Sequence, residues 1–242
     1  MPDFEWAVPL GSGLKLTLST KKHLGLLRRA TKWREVAIAL KLAELVPVDG
    51  VIYDIGANIG LYTLVFAGNR IRTIHSFEPG GMALSFLRKN VERNALRNVE
   101  IHPVALTDHS GTCKFALDEI TTATSHIAGV NEFGEDVSCA DLDSYVLDHR
   151  LPVPDLVKID VEGHDVAVLR GMGDLLKERR PIIWLEGGSR DDNGKHNSIM
   201  ILKKFGYLIW NLERTIELLE DAADYAYLAI AKARHTPAGT KI

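Results

Sequence analysis

Apolar residues recur along this chain in two periods, and the switches between them outline most of its elements. Leu14, Leu16 and Leu18 alternate with Lys15 and Thr17, which predicts a half-buried strand over residues 10–20, paired as a hairpin or lying at an edge. Over residues 24–46 the period lengthens. Val36, Leu40 and Ala43 stand at i, i+4 and i+7, so a helix is expected, closed by Pro47 and Gly50. Residues 51–55 are a short run of β-formers and predict the first core strand. A helix opens at Ile59 and reaches about Asn69. A second strand covers 72–77. The next helix carries Leu84, Leu87 and Val91 to about Asn94, and a third strand spans 99–106. This β-α-β-α-β order predicts parallel strands joined by right-handed crossovers.

The rhythm then breaks. Residues 111–117 alternate and 136–140 form another short strand, with Thr121, Thr122, Thr124, Ser125, Gly129 and Gly134 between them. An antiparallel excursion with a mobile polar loop is expected there. A short helix follows over 141–147, with Leu142, Tyr145 and Val146 as its apolar side. Residues 156–159 predict the fourth core strand, and a helix starts at about His164. The fifth strand covers 181–185, 189–197 is a polar loop, and 199–205 is helical. Residues 206–210 and 225–231 predict a closing antiparallel pair. The domain organisation expected is an N-terminal strand-and-helix cap over 1–50, one α/β domain over 51–234 and a flexible tail over 235–242.

Composition narrows the function classes. The chain has 242 residues, enough for one large domain. A net charge of −3 gives no electrostatic reason to expect nucleic acid. No apolar run is long enough to span a bilayer, and the first ten residues lack a signal-peptide pattern. Cys113 and Cys139 have no metal-type spacing, and two free thiols fit the cytoplasm. The leader could cap its own sheet or exchange with a second copy in a homo-oligomer.

The candidate chemistry gathers at strand ends. Gly56 and Gly60 allow a tight turn between the first core strand and its helix, where backbone can approach a nucleotide. The spacing is Asp-x-Gly-x-Asn-x-Gly, and Asn58 stands where a dinucleotide fingerprint has its second glycine. Asp54 precedes the turn as an anion. That suits a cationic ligand such as S-adenosylmethionine (SAM) better than a pyrophosphate. Glu78, before Pro79 and about 20 residues beyond the turn, is placed to accept from both ribose hydroxyls. Val104 and Ala105 suit either an adenine wall or plain core. Asp160, Glu162 and His164 cluster after the fourth strand. There a neighbouring carboxylate can orient His164 and favour its protonated form. His164 is the first candidate for the base of an O-methyl transfer, although His164 and Asp165 could equally just open the helix. Asp160 and Glu186 leave a divalent cation open without calling for one, since no third ligand follows from spacing. Glu186 could instead accept from a substrate hydroxyl. Tyr62, Trp184 and Trp210 could be core or acceptor-facing.

Together these residues resemble the FkbM-type family of SAM-dependent methyltransferases. The likeness covers about residues 33–207. It rests on Asp-Ile-Gly-Ala-Asn-Ile-Gly at 54–60, Phe-Glu-Pro at 77–79, Asn90 and Asn94, and Val-Ala-Leu-Thr-Asp-x-x-Gly at 104–111. Leu142-Asp143 comes next, then Lys-Ile-Asp-Val-Glu-Gly-x-Asp at 158–165, Leu-Arg-Gly at 169–171 and Glu186. The resemblance implies a Rossmann-like class I methyltransferase fold: a seven-stranded, mostly parallel sheet with helices on both faces and antiparallel last strands. It implies SAM as cofactor, S-adenosylhomocysteine (SAH) as product, and a small-molecule acceptor hydroxyl, commonly on a sugar or polyketide-type natural product. Asp54, Gly56, Asn58 and Gly60 would line the methionine part of SAM, Glu78 would hold the ribose, and Asp160 and Glu162 would flank the reacting centre. Asp165 stands where the family more often has glutamate, and residues 120–135 follow no family pattern. Two other classes share the strand–turn–helix: an NAD-linked oxidoreductase and a non-catalytic nucleotide-binding module.

Overall fold

The computed structural model describes residues 4–19, 23, 34–116, 126–127, 133–186, 197–212 and 226–231. The expected loops at 121–125 and 189–197, the start of the leader helix and the tail lie wholly or largely outside these residues. The chain opens with a hairpin, β1 (Glu5–Gly11) and β2 (Leu14–Ser19), paired antiparallel as a sheet of its own. The hairpin pairing expected for this strand is present, with β1 as the partner, although the pattern over residues 5–9 predicts no strand. In α1 (Arg34–Glu44) the buried positions are Val36, Ala39, Leu42 and Ala43. Leu40, expected on the apolar face, is 52% exposed, so the seam runs one residue off the i, i+4, i+7 reading.

Seven strands make the main sheet in the order β12-β13-β11-β10-β3-β4-β5. They are β3 (Val51–Ile55), β4 (Thr73–Phe77), β5 (Val99–His102), β10 (Leu156–Ile159), β11 (Ile182–Glu186), β12 (Tyr207–Trp210) and β13 (Ala226–Ala231). Strands β10, β3, β4, β5 and β11 run parallel, and β13 is antiparallel to both β11 and β12. The parallel strands are buried on both faces, which is why they read as nearly continuous apolar runs. Helices α2 (Leu61–Ala67) and α3 (Gly81–Arg93) pack with α1 and the hairpin on one face, around Ile52, Ile74, Leu156 and Trp184. Helices α4 (Leu142–His149), α5 (Asp165–Arg170) and α6 (Asn197–Lys204) cover the other, around Tyr53, Phe77, Val157 and Ile183.

One expected strand is two. Pro103 has no N–H to continue a ladder, and β5 stops before it. The chain resumes as β6 (Ala105–Thr107) in a different sheet. That small sheet, ordered β6-β9-β7-β8, also holds β7 (Gly111–Ala116), β8 (His126–Ile127) and β9 (Glu135–Asp141). It is the antiparallel excursion expected over 111–140, except that β6 and β9 pair parallel. Asp141 caps α4, its carboxylate accepting from Ser144 N at 2.9 Å. A five-residue π-helical turn over Leu175–Arg179 has no counterpart in the sequence reading.

The leader is held to the main domain by two asparagines. Asn90 presents a full amide to the edge of β2. It accepts from Thr17 N at 2.7 Å, donates to Thr17 O at 3.0 Å, and donates also to Ile59 O at 2.8 Å. Asn94 repeats the pattern one pleat along, on Lys15 N and Lys15 O, both at 2.8 Å. An amide side chain thus serves as a short third strand and ties the hairpin to the residue before Gly60.

Candidate active site

The turn after β3 is shaped by a close approach. A side chain at Gly56 would meet the Asp160 carbonyl oxygen at 1.9 Å, so no other residue fits. Gly56 N and Ala57 N donate to Phe77 O at 3.0 and 3.1 Å, which draws the turn over the end of β4. Asn58 adopts a left-handed conformation with φ of 51°, which asparagine tolerates better than most residues. Its N–H donates to Glu78 Oε2 at 2.8 Å. Gly60, with φ of 94°, faces away: a side chain there would strike Leu87 of α3 at 2.7 Å.

A cleft of about 1090 Å³, mouth included, runs outside the carboxyl ends of β3, β4 and β10. Gly56, Asn58, Glu78, Pro79, Val104, Ala105, Asp160, Glu162, His164 and Glu186 all line it. Asp54 and Gly60 do not. Strand alternation turns the Asp54 side chain towards α2, and it is fully buried there. Asp54 Oδ1 lies 3.1 Å from Lys158 Nζ, and Oδ2 accepts from Thr63 Oγ1 at 2.6 Å. The carboxylate expected to face a cationic ligand therefore faces a lysine of the neighbouring strand. Lys158 Nζ also donates to Gly56 O at 2.9 Å and lies 3.6 Å from Asp160 Oδ2. Burial pulls the Lys158 ammonium down, but Asp54, Asp160 and Glu186 outweigh it and hold the group above its ordinary range. This buried lysine is the keystone under the turn.

Glu78 is 5% exposed. Burial pushes its carboxyl up to about 7, against the pull of the Asn58 N–H and of Lys158. Val104, Ala105 and Leu106, all buried, form an apolar wall with Phe77. Phe115 of β7 and Ile127 of β8 complete it, so the small sheet is part of the site. The pattern of the sequence did not single out these two.

His164 Nε2 lies 2.9 Å from Thr107 Oγ1. Burial pushes the imidazole below its ordinary range, and the raising effect of Asp108 and Asp165 does not overcome it. Against the expected raising effect of the neighbouring carboxylates, desolvation is the larger influence on His164 and favours its neutral form. Thr107 Oγ1 also donates to Asp108 Oδ1 at 3.4 Å.

At the other end, Tyr62 lines the cleft while Trp184 is 2% exposed and sits in the core. Glu35 of α1 reaches the same cleft from the leader, a contribution no local motif announces. Lys158 was legible in principle. A lysine in the apolar run of β10, paired in register with Asp54 of β3, needs a charged partner. Of the two carboxylates left open for a cation, Asp160 lies 3.6 Å from Lys158 Nζ, and Glu186 also acts on that ammonium. Among the described residues the grouping with metal-ligand spacing is His75, Glu100 and His102, and none of these lines the cleft.

The Methyltransferase FkbM domain profile matches residues 54–209, well over half of the chain. The chain belongs to the FkbM methyltransferase family. Over 136 residues it is 28% identical to the hexuronic acid methyltransferase AglP of Haloferax volcanii, which covers 56% of this chain and 55% of that protein. Its fold is similar to that of the methyltransferase FkbM of Methylobacillus flagellatus KT, with a TM-score of 0.52 at 14% identity, over 75% of this chain and 44% of that one. The chain thus spans about half the length of these relatives. Its fold is the Rossmann-like class I methyltransferase fold. Among the described residues no helix is long and apolar enough to cross a membrane.

Proposed function

We propose that this FkbM-family chain is a SAM-dependent O-methyltransferase acting on a hydroxyl of a small molecule, a sugar or a polyketide-type product. The observation that carries the reading is one cleft with two chemically different stations: Glu78, buried and held by Asn58 N–H, and His164 with Asp160 and Glu162. The residues fit the cofactor. Glu78 is an acceptor for a ribose diol, Val104, Ala105 and Phe115 offer an adenine-sized apolar wall, and the carboxylates suit a cationic ligand. When bound, SAM supplies an electrophilic methyl on a sulfonium.

The chain's own residues supply position and proton management. Lys158 fixes the turn through Gly56 O, so the cleft floor is rigid before any ligand arrives. His164 can take the acceptor's hydroxyl proton as the methyl arrives, a role that burial favours by disfavouring the charged ring. Thr107 fixes its orientation. Sugar acceptors are favoured by the relative from Haloferax, which carries hexuronic acid in its name.

The test is transfer of labelled methyl from SAM to a panel of free sugars and polyol natural products. Incorporation should depend on His164. In His164→Ala, turnover should fall by about 100-fold or more while SAH affinity holds, as expected on losing a general base. Normal turnover in that variant would remove the base role from His164. A chain that binds SAH but methylates nothing would support a non-catalytic binding module.

A further inference from the structure

Three side chains able to ligate a metal share one face of the main sheet at its edge. His75 of β4 pairs in register with Glu100 of β5, the last strand of that sheet. His102 follows Glu100 by two residues, so strand alternation turns all three the same way. His75 Nδ1 lies 2.9 Å from His102 Nε2 and 3.6 Å from Glu100 Oε2, and the three ligating atoms all fall within 4.8 Å of one another. A hydrogen-bonded histidine pair would account for the first distance alone. One ring N–H serves one acceptor well, yet His75 Nδ1 faces both an imidazole nitrogen and a carboxylate. Convergence of three such groups on one point is what a cation satisfies at once.

We propose that His75, Glu100 and His102 form a binding site for a divalent transition-metal ion, zinc by its donor set, apart from the cleft. The site does not depend on the cofactor reading. Two imidazole nitrogens and a carboxylate oxygen suit Zn²⁺, whereas magnesium and calcium favour oxygen shells. Bonds of about 2.0–2.2 Å around a tetrahedral ion set neighbouring ligand atoms about 3.3 Å apart. The 2.9 and 3.6 Å separations fall on either side of that spacing. Both rings are held in place by packing. His75 and His102 are buried, His75 edge-on against Tyr53 and His102 stacked on Phe77. His102 Nδ1 lies 3.2 Å from the Tyr145 hydroxyl of α4, an outer contact of the kind that orients a ligating imidazole. Burial favours the neutral form of both rings, the form that ligates. Glu100 is 61% exposed, so an ion has an entry path, and its flexible stem can swing to close the third edge. The fourth position is left for water. An ion there ties the edge strand to β4 and braces the His102 carbonyl, which accepts from Glu78 N at 3.1 Å.

The test is titration of the chelator-treated, tag-free chain with Co²⁺, read by its visible absorption, followed by competition with Zn²⁺. Wild type should bind one equivalent of Co²⁺ with the intense bands of a four-coordinate site, and one equivalent of Zn²⁺ should bleach them. Glu100→Gln, at an exposed position where folding is not at stake, should weaken Zn²⁺ by about 10-fold or more, since even partners outside the ligand set are worth about that much. His102→Gln should abolish the bands. His149→Gln, which removes a ring stacked on Tyr145 but no ligand, should leave binding unchanged. Absence of stoichiometric Co²⁺ and Zn²⁺ binding to wild type would overturn the site. So would binding that persists undiminished in Glu100→Gln and His102→Gln, because the ion would then lie elsewhere, at the cleft carboxylates or the cysteines.

Discussion

At the scale of single residues, two acidic groups that look alike in sequence have opposite fates. Asp54 and Glu78 both close a core strand before a turn. Asp54 points under the turn into a buried ion pair with Lys158, whereas Glu78 opens into the cleft. What separates them is strand alternation and a partner 104 residues away, and neither is visible in a local motif. Removing one member of such a pair leaves an uncompensated buried charge. Lys158→Met should therefore destabilise the fold by about 3–5 kcal/mol in urea denaturation, and Asp54→Asn in the same chain should recover much of that loss. For Glu78 the prediction is a pH dependence. Its carboxyl titrates near 7, and ribose hydroxyls donate best to the ionised form. SAH affinity should rise between about pH 6 and pH 8, with a proton released on binding at the lower end, and Glu78→Gln should flatten the profile. Calorimetry in two buffers of different ionisation enthalpy reads the proton directly.

At the scale of elements, periodicity located the strands of the main sheet to within a residue or two, except β5, which ends four residues early. It missed where geometry, not pattern, decides. The break at Pro103 was written in the chain, yet the apolar run on either side of it reads as one strand. The partner of β2 and the seam of α1 depend on tertiary packing, which overrides local signals. The clamp by Asn90 is similar: an asparagine on a helix reads as surface until the hairpin is seen beside it. Asn90→Ala strips partners from the buried backbone of Thr17 and from Ile59 O. It should cost about 2–4 kcal/mol by urea denaturation and open the hairpin to proteolysis first, while Asn94→Ala, at a half-buried position whose partner Lys15 is exposed, should cost about 1 kcal/mol or less. Gly171 is a second such joint. A methyl there would meet Thr107 O at 1.9 Å, so Gly171→Ala should displace Thr107 and, through it, His164, lowering turnover more than SAH affinity.

At the scale of the whole molecule, the order of the sheet brings the ends of β3, β4 and β10 together and lets the leader and the small sheet close the cleft from two sides. The strand-end carboxylates announced a rim. The two walls were not legible, because Glu35, Phe115 and Ile127 enter the site from elements whose placement only the fold supplies. Away from the cleft, the buried pair His75 and His102, 2.9 Å apart, contributes to the acid sensitivity of the fold. Burial, aided by His75 and His149, pushes His102 down to about 4. The unfolded chain then binds more protons than the folded one between that value and the ordinary histidine range. This contribution to stability is complete above about pH 6.5 and is lost as pH falls towards 4. His102→Gln should flatten the acid limb of a stability–pH curve.

The central claim is that one cleft binds the cofactor through Glu78. Titration of the chain with SAH, wild type against Glu78→Ala, tests it most directly. Saturable one-to-one binding that weakens by about 10-fold or more in the variant is the result predicted for the loss of a charged acceptor. Equal affinity in the two proteins, or none in either, would contradict it.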